Sequence, residues 1–372
     1  MALSQVQLER LHTSVTDKIG ERKNLIINGA MKVAQRGNIS SVQNGYGGAD
    51  RFSFRSSGAA VVTIRQQGVG NSPTDQGFGF CQQFDVTTAD SSLAATDFAK
   101  IQYRFEGQDL QLLKKGTANA QQVTLSFFVK SPKTGTHIVE LVDQVNTRAV
   151  SLSYTVSSAN TYEKKTLTFP ADTTGTLTND NARRMDLNWY LAAGSNLTSG
   201  TLQTTWGSIT SANRAVGQVN CVDSTDNNFF ITGVQLELGT VATDFEHRLL
   251  PEDLALCQRY CCRWDTAGAT TNNHSRFPTG YNQNTSSAMI FLTHPVPMRV
   301  TDGRTITHNI GVVEILTPGN NTSSLTLSGD ASSNMITAVS LNSIGSVTQH
   351  ALCAPRVGSG QTDWYIIIAC EL

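Results

Sequence analysis

Aromatic side chains in polar surroundings are the residues of this sequence whose chemistry points to recognition. Four of them stand in polar, turn-rich stretches: Tyr46, Trp206, Trp264 and Tyr281. The apolar C–H faces of sugar rings stack on aromatic rings, while neighbouring Asn, Gln, Asp and Ser side chains hydrogen-bond to the hydroxyl groups. We therefore take these four residues as candidate carbohydrate-binding positions. Each of them also fits the alternative of a packed anchor at a domain or subunit interface.

Carboxylates are the second group of side chains with possible chemistry. A glycosidase needs two carboxyl groups that face each other across a cleft. Two sets of aspartates are near enough in sequence to supply such a pair: Asp85, Asp90 and Asp97, and Asp223 with Asp226. Their spacing is equally typical of loop and turn residues. Asp223, Asp226 and Asn227 also offer the oxygen ligands that a structural calcium ion prefers, which is a further alternative.

Cysteine and histidine patterns predict neither a metal site nor a reactive nucleophile. The cysteines are odd in number and scattered: Cys81, Cys221, Cys257, Cys261, Cys262, Cys353 and Cys370. Such a set does not form a disulfide framework, and a zinc site near Cys257 and Cys261 would need a second ligand pair. P-loop, Gly-x-Ser-x-Gly and His-Glu-x-x-His motifs are absent from the sequence. We expect buried free thiols, no metal, no cofactor and no enzymatic activity.

Composition narrows the classes of partner. The formal net charge of -1 and the pI of about 6.6 give no electrostatic reason to expect nucleic acid or an anionic membrane surface. Charged residues make up 15% of the chain, and Ser, Thr, Asn, Gln and Gly take their place, which suits a durable extracellular β-protein. No apolar run is long enough to span a membrane, and no signal-peptide pattern opens the chain, so folding in a reducing cytoplasm is expected.

Alternation of apolar and polar residues predicts strands through most of the chain. The clearest case is Val123, Leu125, Phe127 and Val129, which alternate with mostly polar residues. Predicted strands of the first β region are 60–67, 78–86, 99–106, 122–130, 137–143, 149–154, 163–169, 185–191 and 229–238. Those of the second are 287–293, 305–309, 312–316, 324–327, 335–341 and 363–372, the last apolar on both faces and therefore an inner or interface strand. Many short strands without a long helix predict a mainly β fold: an antiparallel jelly-roll sandwich followed by a smaller carboxy-terminal β-sandwich.

The segment between the two β regions is predicted to change from strand to helix. Five side chains of its strand are expected on one face: Phe230, Thr232, Val234, Leu236 and Leu238. Pro251 suits the first turn of a helix, and the acidic residues after it favour the positive end of the helix dipole. The predicted organisation is a short amino-terminal helix at 1–22, a jelly roll at 23–248, a linker helix at 249–264 and a β domain at 265–372.

The amino-terminal helix is predicted to be amphipathic. Leu8, Leu11, Val15 and Ile19 fall on one helical stripe. This stripe suits either packing on its own domain or attachment to a partner, and it is too short for a stable isolated coiled coil.

Several motifs resemble a family of bacteriophage tail-fibre and virion structural proteins. The segment Asn24-Leu-Ile-Ile-Asn-Gly-Ala-Met-Lys-Val-Ala-Gln-Arg-Gly37, which we read as a strand and turn, is followed by Gly48-Ala-Asp-Arg-Phe52 and is similar to the opening of that family. The resemblance continues at 234–248, at 254–260 and in the Pro-x-Pro-Met-Arg turn at 295–299.

The resemblance implies a jelly roll similar to carbohydrate-binding modules, in a non-enzymatic homotrimer on the surface of a virion. It implies attachment to other virion proteins through residues 1–22 and synthesis in the host cytoplasm. A receptor-binding protein for host surface polysaccharide is the expected function. The alternatives are a purely structural component, such as a capsid decoration or tail protein, and a glycan depolymerase. The chain lacks the long shaft of extended fibres, so a compact fibre, spike or decoration protein is expected.

Overall fold

A computed structural model describes residues 23–265 and 278–372, apart from 310–312, 316–320, 323, 329–331, 346, 354 and 358–364. The predicted amino-terminal helix, with Leu8, Leu11, Val15 and Ile19, lies outside the described residues. Within the described part of the chain, the longest apolar helix falls short of the length needed to cross a bilayer.

The first part of the chain forms an antiparallel β-sandwich. Its strands are β1 (Ile39–Val42), β2 (Asn44–Tyr46), β3 (Ser53–Ser56), β4 (Val61–Gln67), β5 (Cys81–Thr88), β6 (Phe98–Glu106), β7 (Val123–Lys130), β8 (Gly135–Asp143), β9 (Arg148–Val156), β10 (Glu163–Phe169), β11 (Arg183–Ala193), β12 (Gly207–Ser208) and β13 (Asn228–Leu238). A six-stranded sheet has the order β1-β4-β5-β13-β7-β10, and a seven-stranded sheet has the order β12-β9-β8-β11-β6-β3-β2. The prediction of a mainly β, antiparallel sandwich is confirmed.

Alternate side chains of the two sheets fill the space between them. Val123, Leu125, Phe127 and Val129 of β7 are buried on this inner side, as their alternation predicts. Trp189 of β11 is also fully buried in the same core. Each large apolar side chain buried in this way stabilises the fold by about 1.5–3 kcal/mol.

Strand β13 differs from its prediction because it contains a bulge at Gly233. Its pairing with β7 shifts by one residue between Thr232 and Gln235, and Gly233 has a φ of 60°. The core therefore receives Phe229 and Ile231 before the bulge, and Val234 and Leu236 after it. An extra residue moves the following side chains to the opposite face, so the prediction that Phe230, Thr232, Val234, Leu236 and Leu238 share one face was wrong.

The opening segment 24–37 is built from turns, and the strand predicted there was wrong. The Asn28 side chain accepts a hydrogen bond from Val33 N at 2.9 Å and donates to Val33 O at 2.8 Å. Asn28 itself has a φ of 60°. Local bonds between an Asn side chain and the main chain replace a strand ladder in this way. The segment packs on β13, where Leu25 N donates to Leu236 O at 2.9 Å.

The helices are short: α1 (Ser195–Thr198) and α2 (Leu250–Gln258). Pro251, Glu252 and Asp253 stand in the first turn of α2, as predicted. The helix ends at Gln258, however, and the predicted extension to residue 264 was wrong. Residues 261–265 form a strand instead, because a buried neighbouring strand satisfies their main-chain groups.

The carboxy-terminal part contains strands β14 (Cys261–Asp265), β15 (Gly280–Asn282), β16 (Ser287–Thr293), β17 (Thr305–His308), β18 (Val313–Ile315), β19 (Asn321–Thr322), β20 (Ser324–Ser328), β21 (Ile336–Asn342), β22 (Leu352–Cys353), β23 (Pro355–Val357) and β24 (Tyr365–Ala369). Its sheets have the orders β14-β24-β17, β20-β21-β16-β15-β22 and β19-β18-β23. Strand β24 is the middle strand of its sheet, which confirms the inner position predicted for it. Ile366 and Ile368 join a core with Ile290, Val339 and Leu341.

Buried charges join the carboxy-terminal part to the sandwich. Glu106 at the end of β6 is fully buried and accepts hydrogen bonds from Tyr260 Oη at 2.5 Å and from Arg259 Nη2 at 2.7 Å. The Arg51 guanidinium lies 3.4 Å from the centre of the Tyr260 ring and pairs with Glu371. We call Arg51, Glu106, Arg259, Tyr260 and Glu371 the junction network. It holds the carboxy-terminal sheet beside one edge of the seven-stranded sheet.

Candidate functional site

The outer surface of the seven-stranded sheet carries a continuous set of polar side chains. Along β6, Ile101, Tyr103 and Phe105 point into the core, so Lys100, Gln102 and Arg104 point outward. The neighbouring strands contribute residues that face the same side by their register. We call this set the polar face: Arg55, Lys100, Gln102, Arg104, Glu140, Asp186, Asn188 and Tyr190.

Hydrogen bonds fix the centre of the polar face. Gln102 Nε2 donates to Asn188 Oδ1 at 3.0 Å, and Asn188 Nδ2 donates to Glu140 Oε2 at 3.0 Å. Glu140 also accepts from Tyr190 Oη at 3.1 Å and from Arg214 Nε at 2.6 Å. A buried polar group that is fully hydrogen-bonded holds one rotamer. The centre of the face is therefore a rigid, buried hydrogen-bond network.

The two carboxylates of the polar face are already engaged. Glu140 is bound by Arg214, and Asp186 is bound by Arg183. The side chains of Arg55 and Lys100, by contrast, make no hydrogen bond or ion pair with any residue that the structure describes. Arg104 donates to Gln102 Oε1 at 2.8 Å and to the main-chain oxygen of Leu372. The polar face thus carries two half-buried cations that no described carboxylate holds in an ion pair.

A large cavity adjoins one part of the polar face. It has a volume of about 690 Å³ and lies between the β2 edge of the sheet and the strands β17 and β24. Tyr46, Arg55 and Arg104 line it, together with Arg36, and we call it the Arg55 cavity. The Tyr46 ring lies under two guanidinium groups, 5.2 Å from Arg36 and 5.6 Å from Arg55. Four buried polar atoms of its lining residues have no hydrogen-bond partner: Arg36 Nη1, Tyr46 Oη, Arg55 Nε and Glu371 Oε1. Of these, Arg36 Nη1 and Glu371 Oε1 form an ion pair at 3.1 Å.

A second cavity adjoins the polar face near Lys100. It has a volume of about 470 Å³, and Phe98, Lys100, Tyr190, Asn196 and Arg214 line it. We call it the Lys100 cavity. The Lys100 ammonium group lies 5.2 Å from the Phe98 ring and 5.8 Å from the Tyr190 ring. Burial lowers the pKa of Lys100 to about 8, against the opposing effect of Glu140.

The four aromatic residues predicted from the sequence do not meet in one site. Tyr46 lies in β2 at one edge of the seven-stranded sheet, and Trp206 directly precedes β12 at the opposite edge. Trp264 and Tyr281 lie in two different sheets of the carboxy-terminal part. Only Tyr46 adjoins the polar face.

Contacts of the other three rings show what they pack against. Trp206 Nε1 donates to Pro170 O at 2.8 Å, and Lys115 Nζ lies 4.7 Å from its ring. Trp264 packs against His294, with ring centres 5.3 Å apart. The Tyr281 ring is 36% exposed and stacks on Phe291. Trp206 and Trp264 are partly buried and pack against the hydrophobic cores of the sandwich and of the carboxy-terminal part, and their role in carbohydrate binding stays a prediction.

The aspartates predicted as possible catalytic pairs are held by local partners. Asp85 pairs with Arg65 at 2.5 Å, Asp90 accepts from Ala59 N at 2.9 Å, and Asp97 accepts from Ala94 N at 2.8 Å. Asp223 pairs with Lys133 at 2.5 Å and accepts from Asn227 Nδ2 at 2.7 Å. Across the described ranges, no group of three or more His, Cys, Asp or Glu side chains is arranged to hold a metal ion.

The cysteines are free and buried, as expected. Burial raises the pKa of Cys221 and Cys262 to about 12, and that of Cys353 to about 11. Thiols in this state are poor nucleophiles.

Sequence reasoning did not identify the polar face. One signal for it exists, because Lys100-Ile-Gln-Tyr-Arg104 alternates polar and apolar residues and so predicts an outward polar row. Which residues of β3, β8 and β11 stand beside that row depends on strand order and register. Strand order and register cannot be read from the sequence of one strand.

Comparison with known proteins gives similarity at the level of structure alone. No family model and no curated protein matches the chain. A putative sugar-binding protein from Bacteroides thetaiotaomicron aligns over 58% of this chain and 100% of its own, with 12% identity and a TM-score of 0.31. A family 11 carbohydrate-binding module of a Clostridium thermocellum cellulosomal cellulase aligns over 56% of this chain and 97% of its own, with 12% identity and a TM-score of 0.28.

A phage protein also aligns with this chain. The enzymatically active domain of bacteriophage CBA120 tailspike protein 4 matches 54% of this chain, with 17% identity and a TM-score of 0.29. The match spans 22% of the tailspike chain.

Proposed function

We propose that this chain binds glycans through the polar face and its two adjoining cavities. The observation that carries the proposal is the arrangement of this surface. The half-buried cations Arg55, Lys100 and Arg104 stand on a rigid sheet whose amide and hydroxyl groups are buried and hydrogen-bonded to one another. A half-buried aromatic ring lines each cavity: Tyr46 in the Arg55 cavity and Phe98 in the Lys100 cavity. Sugars are bound by this combination of polar groups for the hydroxyls and ring faces for the C–H bonds.

The proposed biological role is a receptor-binding protein of a phage virion that recognises polysaccharide on the host surface. The motifs at 24–37, 48–52, 234–248 and 254–260 support the virion part of this role through their resemblance to tail-fibre and virion structural proteins. Attachment through residues 1–22, with Leu8, Leu11, Val15 and Ile19, belongs to the same proposal. So does a homotrimer, which light scattering tests, since a monomer at micromolar concentration would contradict it.

Binding fits the polar face better than hydrolysis does. A general acid must present its proton to the leaving oxygen, and a nucleophile must face the sugar. Both carboxylates of the face, Glu140 and Asp186, are instead held by arginine side chains. We therefore propose no catalytic residue.

Binding to host cells and to purified surface polysaccharide tests the proposal. Replacing either cavity aromatic, by Tyr46→Ala or Phe98→Ala, is expected to weaken binding about tenfold, because a stacked ring contributes about 0.5–1.5 kcal/mol beyond its buried area. Tyr281→Ala is the matched control, since Tyr281 is exposed in a different sheet, and it should bind like the parent chain.

Two outcomes would contradict the proposal. In the first, the purified protein neither binds host cells nor blocks phage adsorption, which would favour a purely structural virion component. In the second, Tyr281→Ala weakens binding and the two cavity variants do not. Near-ultraviolet circular dichroism of each variant separates loss of binding from loss of fold.

A further inference from the structure

Two positive side chains stand directly opposite each other on the polar face. In the antiparallel pairing of β3 with β6, Arg55 is the partner of Lys100. The Cβ atoms of such partners are about 4.5–5.5 Å apart, and like charges in this position destabilise a sheet. Both side chains point outward, since Phe54 and Ile101 beside them fill the core.

No described carboxylate forms an ion pair with Arg55 or Lys100, although Glu140 acts on Lys100 from nearby. The nearby carboxylates belong to other partners, Glu140 to Arg214 and Asp186 to Arg183. Glu371, which lines the Arg55 cavity, pairs with Arg36 and Arg51. Neither the Arg55 side chain nor the Lys100 side chain makes an ion pair or a hydrogen bond with a residue in the described ranges. Arg104, four residues after Lys100 and on the same face of β6, adds a third cation. An arrangement that costs stability without an internal partner is typical of a functional position.

The surroundings of the pair are suited to a bound anion. The two charged groups line different cavities. Arg55 lines the Arg55 cavity with Tyr46, and Lys100 lines the Lys100 cavity with Phe98 and Tyr190. Arg55 Nε and Tyr46 Oη are buried, unpartnered donors in the same cavity. A guanidinium group binds a carboxylate through two parallel hydrogen bonds, and an ammonium group adds a point charge.

We propose that Arg55 and Lys100 bind carboxylate groups of an acidic polysaccharide, so that the ligand of the polar face is anionic. This inference rests on the proposed function and specifies the class of glycan. A polysaccharide that lies across β3 and β6 contacts both cavities. The carboxylate groups of its acidic sugars then pair with Arg55 and Lys100, which no described carboxylate of the protein does.

The first test compares each acidic polysaccharide with its own uncharged form. Bacterial surface polysaccharides that contain uronic acids are printed on an array beside the same chains with their carboxyl groups reduced to alcohols. We expect carboxyl reduction to weaken binding at least tenfold. Arg55→Gln and Lys100→Gln should each weaken binding of the acidic form about tenfold, because hydrogen bonds to charged groups are worth about 1.5–3 kcal/mol.

Arg65→Gln is the matched control. It also removes one positive charge, but Arg65 lies on the six-stranded sheet and is paired with Asp85. Its binding should equal that of the parent chain. An equal loss in all three variants would mean that net charge alone drives binding, which would overturn the inference.

Phosphorylated polysaccharides on the same array, and inorganic phosphate added in solution as a competitor, distinguish the source of the anion. Preference for phosphorylated over carboxylated chains would overturn the carboxylate assignment. Equal binding of acidic and carboxyl-reduced forms would overturn the inference and leave the proposed function standing. If the protein bound none of the polysaccharides on the array, the proposed function would be contradicted.

A second test needs no ligand. If Arg55 and Lys100 repel each other, Arg55→Gln and Lys100→Gln should each raise the melting temperature of the free protein, by roughly 1–3 °C. Arg65→Gln should not raise it, because it breaks an ion pair. Lower melting temperatures for both polar-face variants would show that these cations serve the fold, and would overturn the inference.

Discussion

Lys100 shows how the surroundings of a single residue set its chemistry. Its side chain is half-buried beside Phe98 and Tyr190, and burial lowers its pKa to about 8. Glu140 opposes this effect and Arg214 adds to it. Lys100 is therefore charged at neutral pH, and its charge is lost within the range where most proteins remain folded.

The charge of Lys100 predicts a pH dependence of glycan binding. A lysine is positive below its pKa, so affinity for an acidic polysaccharide should be constant near neutral pH and should fall as the pH rises through about 8. Neighbouring groups do not mimic this change, because burial raises the pKa of Tyr190 well above its ordinary value and the arginines stay charged. Affinity measured by calorimetry across this range checks the prediction.

Lys100→Arg is the control for that experiment. Its guanidinium group stays protonated, so its binding should not fall above pH 8. The same fall in both proteins would assign the pH dependence to another group.

At the scale of one element, strand β13 shows how a single glycine redirects a row of side chains. Gly233 has a φ of 60°, and a Cβ atom placed on it would lie 2.6 Å from Phe78 Cζ. The position therefore requires glycine for both its backbone conformation and its packing. The bulge that results brings Val234 and Leu236 into the core.

Gly233→Ala is expected to destabilise the protein by about 2–4 kcal/mol. The left-handed conformation costs a residue with a Cβ atom about 1–2 kcal/mol, and overpacking against Phe78 adds about 1–3 kcal/mol. Gly37→Ala is the control, because Gly37 has a φ of 68° and no atom within 4 Å of the added carbon. Urea denaturation measures both variants. Equal losses of stability would show that Phe78 moves away without cost.

At the scale of the whole molecule, the junction network places the carboxy-terminal sheet beside the polar face. Thr305, Tyr365 and Glu371 of the carboxy-terminal part line the Arg55 cavity together with Tyr46 and Arg55. The larger cavity of the proposed site therefore exists only while the two parts are joined. Glu106, which is fully buried, receives the hydrogen bonds of Arg259 and Tyr260 at this joint.

Glu106→Gln is expected to destabilise the protein by about 3 kcal/mol, because it leaves the guanidinium group of Arg259 without its buried counter-charge. Asp85→Asn removes the carboxylate of the partly exposed pair with Arg65 and should cost about 1 kcal/mol or less. Chemical denaturation measures the two losses. Glu106→Gln should also weaken glycan binding in the Arg55 cavity, and a variant with native stability and affinity would contradict this role of the junction network.

Local patterns predicted most of the elements. The alternation of Val123, Leu125, Phe127 and Val129 identifies a strand because side chains of a strand point to opposite faces in turn. Pro251 and the acids after it identify the start of α2 in the same way. The bulge at Gly233 and the strand at 261–265 escaped prediction, since the first depends on contact with Phe78 and the second on pairing with β24.

The sequence by itself determined the type of fold, since hydrophobic period is a property of neighbouring residues. It also identified Tyr46 as a candidate for recognition. Only the tertiary structure decided that Arg55 meets Lys100, that Glu140 and Asp186 are occupied by other arginines, and that Trp206 stands at the far edge of the sheet. These facts depend on strand order and register, because charges that are distant in the chain interact only when the sheets bring them together.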